Sequence, residues 1–528
     1  MKRLIWCVLG FSLVVASCAG RIGQAGPERS SRLGDDGIPS ALAFAEPIDE
    51  LATLRLALTR PSTVHPAEVS MADQSAVIVS DLLYDGLTEV AGGDDRLRPA
   101  LASSWRADET YTTWWFEIDE DRIDPAVVVD HFNAVLTTER SAAASVLLDG
   151  IDSVAATSGG TIEFTLSDPD GGFPWLLSGL AASVVGADGD PTGRYRTIDE
   201  VEPLPAPAPA LSDDGVETDG AVPDESGLPG EVALQAVDPS AVGPDTIEIR
   251  WATDDIAAYE LLTLGLADAA VAPPTLLDDA AQRFGHRPTE RSITVFYGLS
   301  LPGADVADRR AVVDAIDAAA ESGMSTELVA IGAAPSALLV GGSLAGADLL
   351  DPSAALDAGR DGDDAAPSAE TGPDLGDVVV SYTDPAHTEV AEALSERLRA
   401  AGMSAIADQR AIDAQASAIA EGRAGVFAFG WAAAAGSLDA VVAPLGRSSS
   451  AANVLGFASA DVDAVLVEAA STGDDRQRWA LLAEAYRLLT TEARAVPVGV
   501  ANSLLVVAPP AEGLVVRSDG SLDLEAQE

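Results

Sequence analysis

Short segments with strand periodicity alternate with segments of helical periodicity along most of this chain. Leu54 to Leu58 and Thr161 to Leu166 place apolar residues at every second position, which predicts strands with one buried face. Ser75 to Tyr84 has apolar residues at helical spacing before Gly86, which predicts a helix. This alternation excludes an all-helical or an all-β chain, and the predicted fold class is α/β.

The same reading predicts elements further along the chain. Strands are predicted at Thr246 to Trp251, Ile293 to Leu299, Asp377 to Tyr382 and Gly425 to Phe429. Helices are predicted at Ala257 to Leu266, Ala307 to Ala320, Thr388 to Ala401 and Arg476 to Arg494. No short repeat period relates them, so a solenoid or a propeller is not expected.

Three segments of biased composition interrupt this pattern. Residues 18–47 are rich in Gly, Ser, Arg and Asp, 202–231 in Pro, Ala and acidic residues, and 344–376 in Asp, Ala, Gly and Pro. Such compositions do not bury enough apolar surface to form a core. We interpret the first as a tether, the second as an insertion and the third as a low-complexity segment.

The charge of the chain is strongly negative. The 31 basic and 84 acidic residues give a net charge of −53, and Lys2 is the one lysine. A chain this acidic repels phosphate backbones, so nucleic acid is not an expected partner. The absence of lysine after Lys2 also excludes catalysis through a lysine Schiff base.

Both cysteines lie near the N-terminus. Leu4 to Ala16 is apolar, follows two basic residues and is too short to span a bilayer. Val15-Ala16-Ser17-Cys18 then resembles the cleavage site of bacterial lipoproteins, so 1–17 is predicted to be a signal peptide and Cys18 the lipidated residue. Without cysteine beyond Cys18, a disulfide or a cysteine-bound metal in the body of the chain is excluded.

No residue pattern indicates a metal site or a cofactor. The four histidines are scattered without metal-ligand spacing, and acidic runs such as Asp361 to Asp364 are interpreted as solvated charges. No GxSxG, HExxH or phosphate-loop pattern is present. We therefore predict neither a cofactor nor a bound metal, and we do not expect an enzyme.

An ordered series of motifs resembles the extracellular solute-binding proteins of family 5, the peptide, dipeptide and nickel receptors of ABC importers. The series covers about residues 50 to 520. It begins with Leu54 to Leu58, Asp81-Leu82-Leu83-Tyr84-Asp85-Gly86-Leu87 and Leu97-Arg98-Pro99-Ala100-Leu101-Ala102-Ser103-Ser104-Trp105, and continues with Tyr111-Thr112, Pro191-Thr192-Gly193-Arg194-Tyr195, Asp305 to Ala311, Gly430-Trp431 and Val496-Pro497-Val498.

This resemblance implies a two-lobed fold of the periplasmic-binding-protein type II-like, peptide-binding kind, with an extra subdomain in lobe I. Lobe I is expected to hold 48–290 and lobe II 291–496, with 497–528 returning to lobe I. The resemblance also implies a monomeric, lipid-anchored extracytoplasmic receptor that closes on a peptide or peptide-like solute and delivers it to ABC permease subunits.

The site residues are harder to predict, because this chain departs from the family pattern. In the peptide receptors of the family, an Asp three residues after the Gly-Trp tryptophan pairs with the amino terminus of the peptide; here that position is Ala434, and the nearest later carboxylate is Asp439. Selection for a free amino terminus is therefore expected to be weak. Trp431, Tyr297, Ser300 and Asp439 are the predicted ligand contacts.

Two other functions remain open from the sequence. The missing pocket residues suit a lipoprotein that keeps the binding fold but acts as a sensor or adaptor without transport. The abundant carboxylates also permit a secreted, lipid-anchored hydrolase, although no spacing nominates a catalytic pair.

Overall fold

The computed structural model of the protein describes residues 52–90, 96–137, 142–201, 231–237, 243–285, 289–317, 333–336, 338–340, 342, 344–350, 375–383, 388–450, 452–511 and 514–524. The predicted signal peptide, Cys18 and the tether lie outside these ranges. So do residues 202–230 of the predicted insertion and most of the low-complexity segment.

The strands of the described residues are numbered β1 to β20 in chain order. They are Thr53–Thr59, Thr88–Val90, Leu97–Pro99, Ala102–Ala107, Thr113–Ile118, Ile151–Ala156, Thr161–Leu166, Tyr195–Val201, Glu231–Ala236, Thr246–Ala252, Ala269–Val271, Glu290–Ser300, Ala333–Pro335, Asp377–Tyr382, Ser404–Gln409, Gly425–Ala432, Ala495–Asn502, Leu505–Val507, Val515–Val516 and Leu522–Asp523.

The α-helices of the described residues are numbered α1 to α12 in the same way. They are Gln74–Leu83, Pro125–Thr137, Ala142–Leu148, Phe173–Leu176, Asp255–Thr263, Leu277–Phe284, Val306–Asp317, Thr388–Ala400, Ile412–Ala420, Val442–Gly446, Ala460–Ala470 and Asp475–Thr491. Every strand and helix predicted from periodicity is found at its place, with ends that shift by a few residues. Residues 318–320 of the helix predicted at Ala307 to Ala320 lie outside the described residues.

The first large sheet has the strand order β18-β11-β1-β10-β9-β8. Its centre is parallel, because β1 pairs with both β10 and β11 in the same direction. Leu54, Leu56 and Leu58 of β1 are fully buried, as their alternation predicts. Helix α1 packs beside this sheet, and the Asp73 carboxylate caps its first turn by accepting the Ala76 N–H at 3.0 Å.

The second large sheet has the order β13-β17-β12-β16-β14-β15. Its long central strand β12 pairs antiparallel with β16 and with β17, while β14 and β15 are parallel. Helices α10 to α12 bury a separate apolar cluster against β12 and β16, which includes Trp431, Trp479 and Leu482. This sheet and its helices form the second lobe.

A smaller antiparallel sheet, β4-β5-β7-β6, forms the extra subdomain of the first lobe. Its inner face is aromatic, since Phe116, Phe132, Phe164 and Phe173 pack edge to face with ring centroids 5.1 to 6.2 Å apart. The expected α/β architecture with two lobes and a subdomain is therefore confirmed.

Within the described residues, the chain passes between the lobes twice. The first passage follows β11 and α6 and enters the second sheet at Glu290, the start of β12. The return was expected at 497, but β17 stays paired with β12 and β13 through Asn502, and the chain joins the first sheet as β18 at Leu505. The return is later than expected because Val496-Pro497-Val498 forms the middle of a strand instead of a connection.

No helix among the described ranges is long and apolar enough to cross a membrane.

Candidate functional site

A cavity of about 350 Å³ lies between the two lobes. The first lobe supplies the end of α1 and the residues up to Val90, together with 178–183, Arg194 and the C-terminal residues 515–524. The first passage contributes Thr289 and Glu290, and the second lobe contributes Ala345 and 434–436. The volume lies within the range of small-molecule sites, close to its lower end.

The turn after α1 forms one wall of this cavity. Helix α1 ends at Leu83, and the Tyr84 N–H still donates to the Ser80 carbonyl at 2.9 Å. Gly86 then passes so close to Leu177 that a Cβ atom would lie 2.8 Å from the Leu177 carbonyl oxygen. The Thr88 hydroxyl donates to the Pro174 carbonyl at 2.7 Å, so this wall is anchored to the segment that follows the subdomain.

The C-terminal residues form the adjoining wall. Ser292 donates its backbone N–H to the Ser518 carbonyl at 2.6 Å, and Arg291 donates a guanidinium N–H to the Asp519 carbonyl at 3.2 Å. Gly520 has φ +95°, and a Cβ there would meet the Arg291 guanidinium at 2.7 Å. Because Arg291 and Ser292 lie at the start of β12, where the chain enters the second sheet, this wall is fixed to the junction between the lobes.

The second lobe offers a small, uncharged surface. Strand β16 ends at Ala432, and the Ala433 N–H donates to the Ser292 carbonyl at 2.8 Å. The following Ala434, Ala435 and Gly436 line the cavity, and Gly436 accepts the Ala345 N–H at 2.9 Å. Ala434, the position at which the family resemblance implies an Asp, thus lines the cavity.

Carboxylates dominate the charged wall. Asp85 forms an ion pair with Arg122, and burial, partly opposed by that pair, raises the pKa of Asp85. Burial raises the pKa of Asp81 to about 7, because the nearby Arg517 guanidinium only partly offsets the cost of burying the charge. Burial also raises the pKa of the Tyr84 hydroxyl.

A second cavity, of about 410 Å³, lies between the subdomain and the helices of the second lobe. At its base, Arg478, which is 1% exposed, donates to Asp439 at 2.7 Å and to the Gly171 carbonyl at 3.1 Å. The Trp479 indole donates to the same Asp439 carboxylate at 3.0 Å. Burial and the Asp439 carboxylate raise the pKa of the neighbouring Asp170 to about 6.

The four predicted contact residues do not line the cavity between the lobes. Trp431 is 1% exposed and packs against Phe429 inside the second lobe, and Tyr297 is buried against Leu299 and its neighbours. Ser300 is the buried last residue of β12. Asp439 borders the second cavity, where its carboxylate is occupied by Arg478 and Trp479. Their roles as ligand contacts remain predictions without support from these positions.

The charged residues that do line the cavity were not predicted as contacts. Asp81 and Arg194 stood in the sequence only as parts of family-like motifs, and Arg517 and Asp519 lie beyond the last motif. Their proximity depends on how α1, β8 and the C-terminal strands meet. The only signal in the sequence was that Asp81 is the one charged residue of α1.

The comparisons with known proteins concern the whole chain. No family model matches the sequence, and no curated protein matches it. Solved structures do match. One is the unliganded open form of the periplasmic murein tripeptide binding protein MppA, with 14% identity over 89% of this chain and 96% of that one and a TM-score of 0.66. Another is HbpA2 from Haemophilus parasuis, with 16% identity over 90% of this chain and 99% of that one and a TM-score of 0.66. A third is the periplasmic binding protein DppA from Helicobacter pylori in complex with the peptide STSA, with 14% identity over 89% of this chain and 96% of that one and a TM-score of 0.58.

This chain therefore has the fold of the two-lobed periplasmic binding proteins of the peptide-binding type. MppA and DppA are described as binding proteins, and the cavity lies at the place where the two lobes of this chain meet.

Proposed function

We propose that this protein is a divergent member of family 5 of the solute-binding proteins and the receptor of an ABC importer. It captures a peptide or peptide-like solute between its lobes and delivers it to the permease outside the cytoplasmic membrane. The observation that carries the proposal is the cavity of about 350 Å³ with walls from both lobes and from the strand that connects them. A ligand that contacts both walls stabilises the closed arrangement.

The walls suit binding better than catalysis. A receptor needs a concave site with a few fixed polar groups, whereas a hydrolase of carboxylate type needs two positioned acids around a reacting bond. Here the second-lobe wall is made of Ala434, Ala435, Gly436 and Ala345. The backbone of Ala434 and Ala435 offers hydrogen bonds to a peptide main chain without selecting side chains, whereas the Gly436 carbonyl and both backbone groups of Ala345 already bond within the lobe. The similarity to a murein tripeptide binding protein and to a peptide complex of DppA supports a peptide-like ligand.

The lipid anchor is part of the proposal. Cys18 follows the predicted signal peptide, and its acylation holds the receptor at the membrane through more than one acyl chain. In a bacterial host, Cys18→Ala should shift the protein from the membrane fraction to the soluble fraction or leave it unprocessed. Unchanged, salt-resistant membrane retention with normal processing would contradict the anchor while leaving the binding function intact.

The binding function is tested by calorimetry of the purified soluble body with tripeptides of different side chains. We expect at least one tripeptide to bind and to raise the melting temperature. Ser518→Trp places an indole in the cavity and should abolish that binding. Ser62→Trp adds the same ring at an exposed position outside it and should leave binding unchanged.

Two outcomes would count against the proposal. Binding that survives Ser518→Trp would place the ligand elsewhere in the protein. A failure of all tripeptides to bind the folded wild type would contradict the peptide receptor and would favour the sensor or adaptor.

A further inference from the structure

The charge on the cavity wall is unevenly distributed. Six carboxylates and two guanidinium groups are among the lining residues of the described chain. The acids are Asp81, Asp85, Glu89, Glu290, Asp519 and Asp523, and the bases are Arg194 and Arg517. Apart from Glu290, at the start of β12, the lining residues from the second lobe carry no charge. A ligand held between the lobes therefore meets most of the negative charge on the side of the first lobe.

Several of these acids already have partners. Asp85 pairs with Arg122, and Asp523 lies 3.6 Å from Arg517. Asp519 accepts the backbone N–H of Ser521 at 2.9 Å and its hydroxyl at 2.7 Å. These groups hold the wall together and have less capacity left for a ligand.

Asp81 differs from them. Asp81 lines the cavity, and its carboxylate makes no direct hydrogen bond or ion pair with the residues that the structure describes. Four charged residues act on the Asp81 carboxylate. Arg517 and Asp519 belong to the C-terminal residues, Arg194 lies just before β8, and Asp85 follows the end of α1. Burial outweighs the two arginines and raises the pKa of Asp81 to about 7. An ionised carboxylate with no partner in such a site is costly, and a cation brought by a ligand removes that cost.

From this cavity we infer that the protein selects solutes that carry a positive charge and binds that charge at Asp81. The inference rests on the proposed function and names the ligand class of the same site. The cation is an ammonium or a guanidinium, supplied by the amino terminus or by a side chain of a short peptide. It faces the first lobe, on the side of the cavity opposite Ala434.

The experiment measures the affinities of four probes by calorimetry at pH 8. Acetyl-Ala-Arg-Ala-amide carries a side-chain cation, and acetyl-Ala-Gln-Ala-amide carries none. Ala-Gln-Ala-amide carries only its amino terminus, and agmatine carries a guanidinium and an ammonium without a peptide. We expect the arginine peptide to bind at least tenfold more tightly than the neutral one, and the free-amine probe shows whether the amino terminus can replace the side chain.

Asp81→Asn is the decisive variant, because it keeps the shape of the side chain and removes its charge. We expect a tenfold or larger loss of affinity for the arginine peptide and an unchanged affinity for the neutral peptide. Asp461→Asn, which removes an exposed carboxylate in the first turn of α11, is the matched control and should change neither. Melting temperatures of both variants verify that they fold.

The pH dependence gives a second readout. Asp81 must lose its proton before it pairs with a cation. The affinity of the wild type for the arginine peptide should therefore fall as the pH drops below about 7, and the fall should approach tenfold for each pH unit. The guanidinium stays charged throughout this range, so the change belongs to the protein. Asp81→Asn should remove this dependence.

The outcomes separate the two proposals. Equal affinity for charged and neutral peptides, or equal losses for both in Asp81→Asn, would overturn the charge selection and leave the peptide receptor standing. Binding of agmatine with no binding of any peptide would support the charge selection and overturn the peptide receptor. If no probe binds, both proposals fail.

Discussion

The carbonyl oxygen of Ala434 lies directly against Gly179: a Cβ atom at position 179 would be only 2.2 Å from it. The two residues come from opposite lobes, and both line the cavity. The absence of a side chain at 179 therefore sets how closely the lobes approach beside the proposed binding site.

Gly179→Ala should destabilise the protein, since the added methyl group also meets Leu147 Cδ1 at 2.8 Å and the neighbours must move. We expect the free energy of unfolding to fall by about 1–3 kcal/mol, as for other overpacked positions. Gly150→Ala is the matched control, because a Cβ there meets nothing within 4 Å. Denaturant unfolding of both variants tests this, and equal stability of the two would contradict the close contact.

Arg478 and Asp439 form the buried ion pair at the base of the second cavity. Arg478→Met should lower the free energy of unfolding by about 3–5 kcal/mol, because it leaves the Asp439 carboxylate buried beside Trp479 without its cation. On the same helix, Arg487→Met breaks an exposed pair with Glu484 and should cost less than about 1 kcal/mol. A similar cost for both would show that the buried pair is not a structural anchor.

Asp170 makes the stability depend on pH. Its folded-state pKa of about 6 lies above the ordinary value near 4, so the folded state holds this proton more tightly than the unfolded state. That contribution is present below pH 4 and is lost as the pH rises through 6. Asp170→Asn, which still accepts the Gly172 N–H, should raise the melting temperature at pH 8 and not at pH 4. Asp168→Asn, exposed and two residues away, should show no such difference.

Trp431 is expected to act through packing. Trp431→Ala should cost about 3–5 kcal/mol of stability, because the indole is 1% exposed in the second-lobe core. Trp431→Phe keeps most of the apolar volume, and its affinity for the arginine peptide should equal that of the wild type. A large loss of affinity with an unchanged melting temperature would instead establish Trp431 as a ligand contact.

The insertion of 202–230 connects two strands that pair with each other. Val201 of β8 is the partner of Glu231 of β9 at the edge of the first sheet. Replacing residues 202–230 with Asn-Gly, the preferred sequence for a tight hairpin, should leave the melting temperature within a few degrees. A collapse on replacement would show that the segment contributes to the core.

Much of the fold could be predicted from the sequence, because local periodicity reports which face of an element is buried. β1 and β7 follow from alternation, and α12 follows from helical spacing. The ordered motifs pointed to the two-lobed architecture although the solved structures named above share only 14–16% sequence identity with this chain. The later return at Leu505 was not predicted, since a short apolar strand fits either sheet until its hydrogen-bond partners are known.

For the binding site, too, some features follow from the sequence and others depend on the tertiary structure. From the sequence alone came the alternation of elements, the lack of an internal disulfide, and the alanine at 434. The tertiary structure alone decided that Trp431 packs inside the second lobe, that Asp439 pairs with Arg478, and that Asp81 meets the C-terminal residues at the cavity wall. The physical reason is that burial of one face depends on neighbours along the chain, whereas a cavity and the charge of its walls depend on groups brought together from distant parts of it.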